Sequence, residues 1–235
     1  FSISSSPPAM GTFFRRFSAL IMLKPFLFGV LRVPLALGLL LVALGTSASA
    51  PAPGVLVLGD SISAAYGMSL EQGWVALLER RLAESHPGSR VINASISGET
   101  SAGGLRRLPA LLAEHQPGLV IIELGGNDGL RGYPINKFRD NLRQMATLSQ
   151  DAGASVLFLA MEIPPNYGSR YTGAFRESFA VVAEETGSEL GPFLLDGVAT
   201  EPGMMQPDGI HPTAAAQPRL LDNVLPTLLE MLAAP

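Results

Sequence analysis

Ser61 stands at the end of an apolar run, in the small-residue turn Gly59-Asp60-Ser61-Ile62-Ser63. A serine hydroxyl attacks a carbonyl only when a neighbouring base takes its proton, and histidine is the usual base because it titrates near neutrality. The chain has three histidines. His86 and His115 each close a predicted helix just before a Pro-Gly or Gln-Pro-Gly stop, where a partly charged imidazole complements the helix dipole. That role accounts for both. His211 instead lies in Pro207-Asp208-Gly209-Ile210-His211-Pro212, with Asp208 three residues before it. In a turn, that spacing brings the carboxylate to one imidazole nitrogen and leaves the other to face Ser61. Asp208 would then fix the tautomer and stabilise the imidazolium formed during attack. A loop cap beside a surface histidine gives the same letters, so the pair needs support from the rest of the chain.

Attack on a carbonyl places negative charge on its oxygen, and each donor aimed at that oxygen contributes about 3 kcal/mol. Gly98 can offer a backbone N–H with no side chain in the way, Asn127 its amide, and Ser61 its own N–H. Each has a plainer use as well, in a tight turn or a loop cap. Other patterns fall short. Gly98 to Gly104 has the glycine spacing of a phosphate loop, but Leu105 stands where lysine is required. Ser63 occupies the second glycine position of a Gly-x-Ser-x-Gly elbow. Asn93-Ala94-Ser95 matches a glycosylation acceptor, yet it ends a predicted strand and is expected to be mostly buried. Asp60 is expected to brace the serine turn, since no histidine remains for it to orient.

The elements that must position these residues alternate. Val55–Leu58, Arg90–Ser95, Leu119–Leu124, Ala154–Ala160 and a weaker stretch near Gly191–Leu195 read as strands. Short, continuous apolar runs suit parallel strands buried on both faces. Ser69-Leu70-Glu71-Gln72 resembles a capping box opening a helix through Trp74, Leu78 and Leu82. Further helices are predicted through Leu105–Leu112, over 136–151, over 172–185 and over 213–232, the last bent at Pro218 or Pro226. Gly125–Gly129 reads as a turn and Ile163–Gly168 as a loop. This alternation implies an α/β fold, a parallel sheet with helices on both faces. Right-handed crossovers put every strand-to-helix turn on one edge, where ligands bind in such sheets. Ser61, Gly98 and Asn127 all lie in those turns.

The chain has no cysteine, which excludes a thiolate nucleophile, a disulfide framework and cysteine metal sites. With no paired histidines at ligand spacing, neither a metal nor another cofactor is expected. Residues 1–50 hold Arg15, Arg16, Lys24 and Arg32 but no acidic side chain, leaving 12 basic against 20 acidic residues in the remainder, a net charge of −8. Such an acidic body argues against nucleic acid as a partner. The apolar stretch Val33–Leu44, preceded by basic residues and followed by Gly45-Thr46-Ser47-Ala48-Ser49-Ala50, reads as a signal peptide cleaved after Ala48 or Ala50. Its uninterrupted apolar run is short for a membrane span. Export to the periplasm or the medium is therefore expected, with residues 51–235 forming one domain.

Gly59-Asp60-Ser61-Ile62-Ser63, Gly98 in its turn, Gly125-Gly126-Asn127-Asp128 and Asp208-Gly209-Ile210-His211-Pro212 resemble, in order, the four sequence blocks of the SGNH, or GDSL, hydrolases. Gln72-Gly73-Trp74-Val75, Gly125–Gly132 and Pro164–Gly168 resemble the bacterial periplasmic thioesterase, lysophospholipase and arylesterase branch of that family. The resemblance implies a flavodoxin-like three-layer α/β/α sandwich with a five-stranded parallel sheet. It further implies Ser61 as nucleophile, His211 as base, Asp208 as orienter, and an oxyanion hole from Ser61, Gly98 and Asn127. Ile62 replaces the family's leucine, at a position that packs. Leu130, Pro164, Pro165 and Tyr167 are candidates to receive an acyl chain, and Arg131 to meet a polar head group. The expected substrate is a small acyl ester or thioester, including lysophospholipids and acyl-CoA, with transient lipid contact and no obligate protein partner. The alternatives are a carbohydrate or aryl acetylesterase, and a non-catalytic flavodoxin-like module holding a nucleotide or flavin at the same edge.

Overall fold

Strands β1 (Val55–Gly59), β2 (Val91–Asn93), β3 (Leu119–Glu123), β4 (Ser155–Leu159) and β5 (Glu189–Gly191) pair in parallel in the order β2-β1-β3-β4-β5. The computed structural model describes residues 54–233; the predicted signal segment lies outside them. Every residue of β1 and β3 is buried, because helices cover both faces of the sheet. Val55, Val57 and Ile121 pack with Trp74 and Leu78 of α1 (Trp74–Ser85) and with Leu220 and Val224 of α6 (Gln217–Ala233). On the opposite face, Leu56, Leu58 and Ile122 meet Leu108 of α2 (Ser101–His115), Phe138 of α4 (Ile135–Asp151) and Phe175 of α5 (Ser169–Thr186). The result is the expected flavodoxin-like three-layer sandwich. Its strand order reverses between β1 and β3, so the crevice beyond their C-terminal ends is the place for a ligand.

Several elements differ from the sequence expectation, each for a local reason. The Ser69 and Gln72 side chains meet as in a capping box, but they close only one 3-10 turn, Leu70–Gln72. Extended Gly73 separates that turn from α1, whose first N–H, on Trp74, is capped by Gln217 Oε1 of α6 at 2.9 Å. Gly126–Leu130 forms a short helix, α3, rather than a turn. Its glycines are poor helix formers, but they allow close packing: a Cβ on Gly129 would lie 2.6 Å from Ile163 Cγ2. Strand β5 ends at Gly191, earlier than expected, since Pro192 has no N–H to extend the ladder. Pro165–Tyr167 makes one 3-10 turn within the expected loop. Asn93 is exposed rather than buried, because β2 is an edge strand, though its amide reaches Ser63 O at 2.8 Å.

Candidate active site

The turn after β1 is helical in shape: Ala64 N–H donates to Asp60 O at 2.9 Å and Tyr66 N–H to Ser61 O at 3.1 Å. It leaves Ser61 half-buried beyond the C-terminal end of β1. His211 comes from a loop closed by an antiparallel bridge between Met205 and Pro212, with Gln206 N–H donating to His211 O at 2.7 Å. The Gln206 amide also donates to Tyr66 O at 2.8 Å and Pro212 O at 3.0 Å, tying this loop to the serine turn. The Tyr66 ring lies against the imidazole with centroids 4.3 Å apart. Neither Gln206 nor Tyr66 belongs to a motif, so sequence reasoning passes over both.

Ser61 Oγ lies 2.9 Å from His211 Nε2, and His211 Nδ1 lies 2.7 Å from Asp208 Oδ2. In the tautomer that donates from Nδ1 to the carboxylate, Nε2 is free to accept the serine proton. The other oxygen, Asp208 Oδ1, accepts from the N–H groups of Ile210 at 2.9 Å and His211 at 3.0 Å. Those backbone and imidazole hydrogen bonds hold the Asp208 carboxyl at about 2. A carboxyl depressed in the folded state contributes stability above the ordinary carboxylate range and loses it as pH falls toward that value. Asp208 is therefore ionised wherever the imidazole can act as a base.

The backbone N–H groups of Ser61 and Gly98 have no hydrogen-bond acceptor among the described residues. Gly98 has φ +79°, a conformation that favours glycine. Its turn is held by Arg107, which donates to Glu99 Oε2 at 2.8 Å and to Ala94 O at 2.9 Å. The amide of Asn127, in α3, donates to Glu99 O at 2.9 Å and more weakly to Asp60 Oδ2 at 3.3 Å. Gly126 N–H, at the start of the same helix, meets Met161 Sδ at 3.1 Å. Asp60 braces the turn by accepting from Ile62 N–H at 3.0 Å, and burial pushes its carboxyl up to about 6.

Ser61, Asn127 and His211 open onto a cleft of about 460 Å³, within the range of small-molecule sites. Its walls are mostly apolar: Leu130, Met161, Ile163, Phe193, Leu195 and Met205. Pro164 and Pro165 also line it, whereas Arg131 and Tyr167 do not. Arg131 is exposed, and the Tyr167 hydroxyl donates to Leu130 O at 3.0 Å, which places it behind the wall. Phe193 and Leu195 follow the early end of β5 and Met205 precedes the histidine loop, so the sequence pattern gave no reason to bring them here. Among the described residues no group of three His, Asp or Glu side chains is placed to hold a metal ion.

A model of the GDSL-like lipase/acylhydrolase family matches residues 57–218, a span that contains the serine turn, the Gly98 turn, α3 and the histidine loop. Esterase TesA of Pseudomonas aeruginosa is 58% identical over 183 residues, covering 78% of this chain and 91% of that protein. The thioesterase 1/protease 1/lysophospholipase L1 of Escherichia coli strain K12 is 45% identical over 183 residues, covering 78% of this chain and 86% of that one. Among solved structures, the psychrotrophic esterase EstA from Pseudoalteromonas sp., inhibited by monoethylphosphonate, superposes with a TM-score of 0.75 at 43% identity, covering 77% of this chain and 100% of EstA. With its sheet, its serine turn and its histidine loop in the family's order, the chain belongs to the GDSL-like lipase/acylhydrolase family of ester-hydrolysing enzymes.

Proposed function

We propose that the chain hydrolyses esters and thioesters of medium and long acyl chains, lysophospholipids and acyl-CoA included, through an acyl-enzyme on Ser61. One observation carries this reading: the hydrogen-bonded line Ser61–His211–Asp208 opens onto an apolar cleft. Ser61 Oγ attacks the carbonyl carbon while its proton passes to His211 Nε2. The carbonyl oxygen takes the negative charge and accepts from the N–H groups of Ser61 and Gly98 and from the Asn127 amide, which exchanges its longer bond to Asp60 for one to the oxyanion. When the tetrahedral intermediate collapses, the bond to the leaving alcohol or thiol breaks, and His211 returns the proton to that group. Water then repeats the cycle on the acyl-enzyme, releasing the acid and restoring Ser61. The inhibition of EstA by monoethylphosphonate is consistent with a nucleophile of this kind.

The apolar walls set the substrate expectation. On p-nitrophenyl esters, kcat/KM should rise from acetyl to octanoyl by about tenfold or more, since each buried methylene is worth roughly 0.8 kcal/mol until the cleft is full. A profile that peaks at acetyl would replace this reading with an acetylesterase. We propose in addition that the protein is exported, on the strength of the charged, apolar and small-residue order across residues 15–50. N-terminal sequencing of the exported protein should then begin after Ala48 or Ala50, and an exported chain that retains Val33–Leu44 would overturn cleavage.

A further inference from the structure

Beneath the serine turn sits a carboxyl that the mechanism does not use. Glu123, the last residue of β3, is 0% exposed and stands opposite Gly59 in the β1–β3 register. Its Oε2 accepts from Asp60 N–H at 3.2 Å and from the Ser63 hydroxyl at 2.7 Å. These two donors flank Ser61, one residue before it and two after it. Ser63 Oγ in turn accepts from Trp74 Nε1 at 3.1 Å, so a line of hydrogen bonds runs from the indole to the carboxyl through the turn itself. Gly59 makes the arrangement sterically possible: a Cβ there would lie 2.6 Å from Glu123 Oε2, 2.7 Å from Ser63 Cβ and 2.8 Å from Ser95 Oγ.

Packing alone does not explain a carboxyl at this place. Every other position of β3 is an aliphatic residue, and an aliphatic side chain here would bring no polar group of its own into the core. Glu123 instead leaves its Oε1 without a partner, and the buried Ser95 Oγ, also close to Gly59, has none either. That is a cost the fold bears for the two bonds on Oε2. We propose that Glu123 is a positioning residue for the hydrolytic reaction: its buried carboxyl fixes the backbone of the turn that presents the Ser61 hydroxyl and keeps the Ser61 N–H directed at the oxyanion. This rests on Ser61 being the nucleophile. Glu123 touches neither substrate nor reacting atoms and acts through Asp60 N–H and Ser63. Burial, and after it the neighbouring Asp60 charge, push its carboxyl well above the ordinary range, in the direction of the neutral acid. Glutamine, which keeps an acceptor oxygen at the same reach, should therefore substitute for it.

The test uses the full chain with Glu123→Gln, Glu123→Leu and Ser63→Ala, each titrated with a fluorophosphonate so that kcat is expressed per labelled serine. Glu123→Gln should keep kcat within about threefold of wild type, because one oxygen still accepts both bonds. Glu123→Leu should lose about 10- to 100-fold in kcat with KM within about twofold, as expected for a displaced nucleophile. Trp74 is the only tryptophan in the chain, so its emission reads the network directly and should shift in Glu123→Leu but not in Glu123→Gln. Should Glu123→Leu fail to fold, Ser63→Ala decides: it removes one donor with little change in volume and should lower kcat about tenfold at unchanged KM. Wild-type kcat per labelled serine in whichever of these two variants folds would overturn the proposal, as would a Glu123→Gln that is no better than Glu123→Leu. A wild-type enzyme with no label on Ser61 would instead point to failure of the nucleophile assignment beneath it.

Discussion

Replacing Ser61 by alanine is expected to lower kcat on a p-nitrophenyl ester by about 10⁶, and replacing His211 by alanine to cost about as much. The two act as one unit: the hydroxyl is a poor nucleophile without a base 2.9 Å away, and the base has nothing to activate without the hydroxyl. The double variant should therefore be no slower than either single one. What survives in all three is catalysis by the remaining oxyanion donors and by binding in the cleft, worth about 10³ over water. Both side chains are only partly buried, so neither change opens a cavity in the core. Single-turnover rates alongside thermal unfolding midpoints check the prediction; a loss of activity that tracks a loss of folded protein would contradict it.

Asp208→Asn is expected to lower kcat by about 10⁴ at neutral pH while leaving the loop intact. The loop survives because asparagine keeps an oxygen to accept from the N–H groups of Ile210 and His211, as Asp208 Oδ1 does now. The remaining amide NH₂ then faces His211 Nδ1 where a carboxylate stood at 2.7 Å. Nδ1 must become the acceptor, the ring proton moves to Nε2, and Nε2 can no longer take the proton of Ser61. Asp208→Ala is expected to lose a similar factor in kcat, and in addition the two hydrogen bonds, donated by the N–H groups of Ile210 and His211, that shape the loop. An Asp208→Asn enzyme within tenfold of wild type would show that this carboxylate does not set the tautomer. The comparison belongs at neutral pH, where Asp208, held at about 2, is fully ionised.

Much of the scaffold is written plainly in the chain. The runs Val55–Leu58 and Leu119–Ile122 are apolar without alternation, which only a strand covered on both faces tolerates, and this dictates helices on either side. The alternation of strand and helix then puts Ser61, Gly98 and Asn127 on one edge. His211 follows by elimination, since the other two histidines end helices, and both do so in the structure. What is hidden depends on contacts between distant residues. α3 is obscured by glycines whose helical conformation is imposed by packing against Ile163 and Phe175. The Phe193–Leu195 stretch resembles a strand, but Pro192 ends the ladder, and Phe193 and Leu195 turn to wall the cleft. Glu123 carries the one overlooked signal, an acidic residue at the end of an otherwise aliphatic strand. Gly59 looks like part of a turn motif, whereas its lack of a side chain serves the carboxyl opposite.

The substrate side of the site follows from the same geometry. The cleft wall combines residues from after β3, β4 and β5, so its shape depends on three loops, and no short motif encodes it. Leu130 is fixed from behind by Tyr167, and Met161 contacts both the cleft and the first N–H of the helix that bears Asn127. The apolar cleft wall and the start of the helix that bears Asn127 thus share a side chain.

Ser61, activated by His211, is the proposed nucleophile, and a fluorophosphonate probe followed by peptide mass mapping reads this out on the protein itself. The expected result is one adduct per chain on Ser61, absent in Ser61→Ala and formed far more slowly in His211→Ala. An adduct on another residue, or labelling of Ser61→Ala at the wild-type rate, would contradict it.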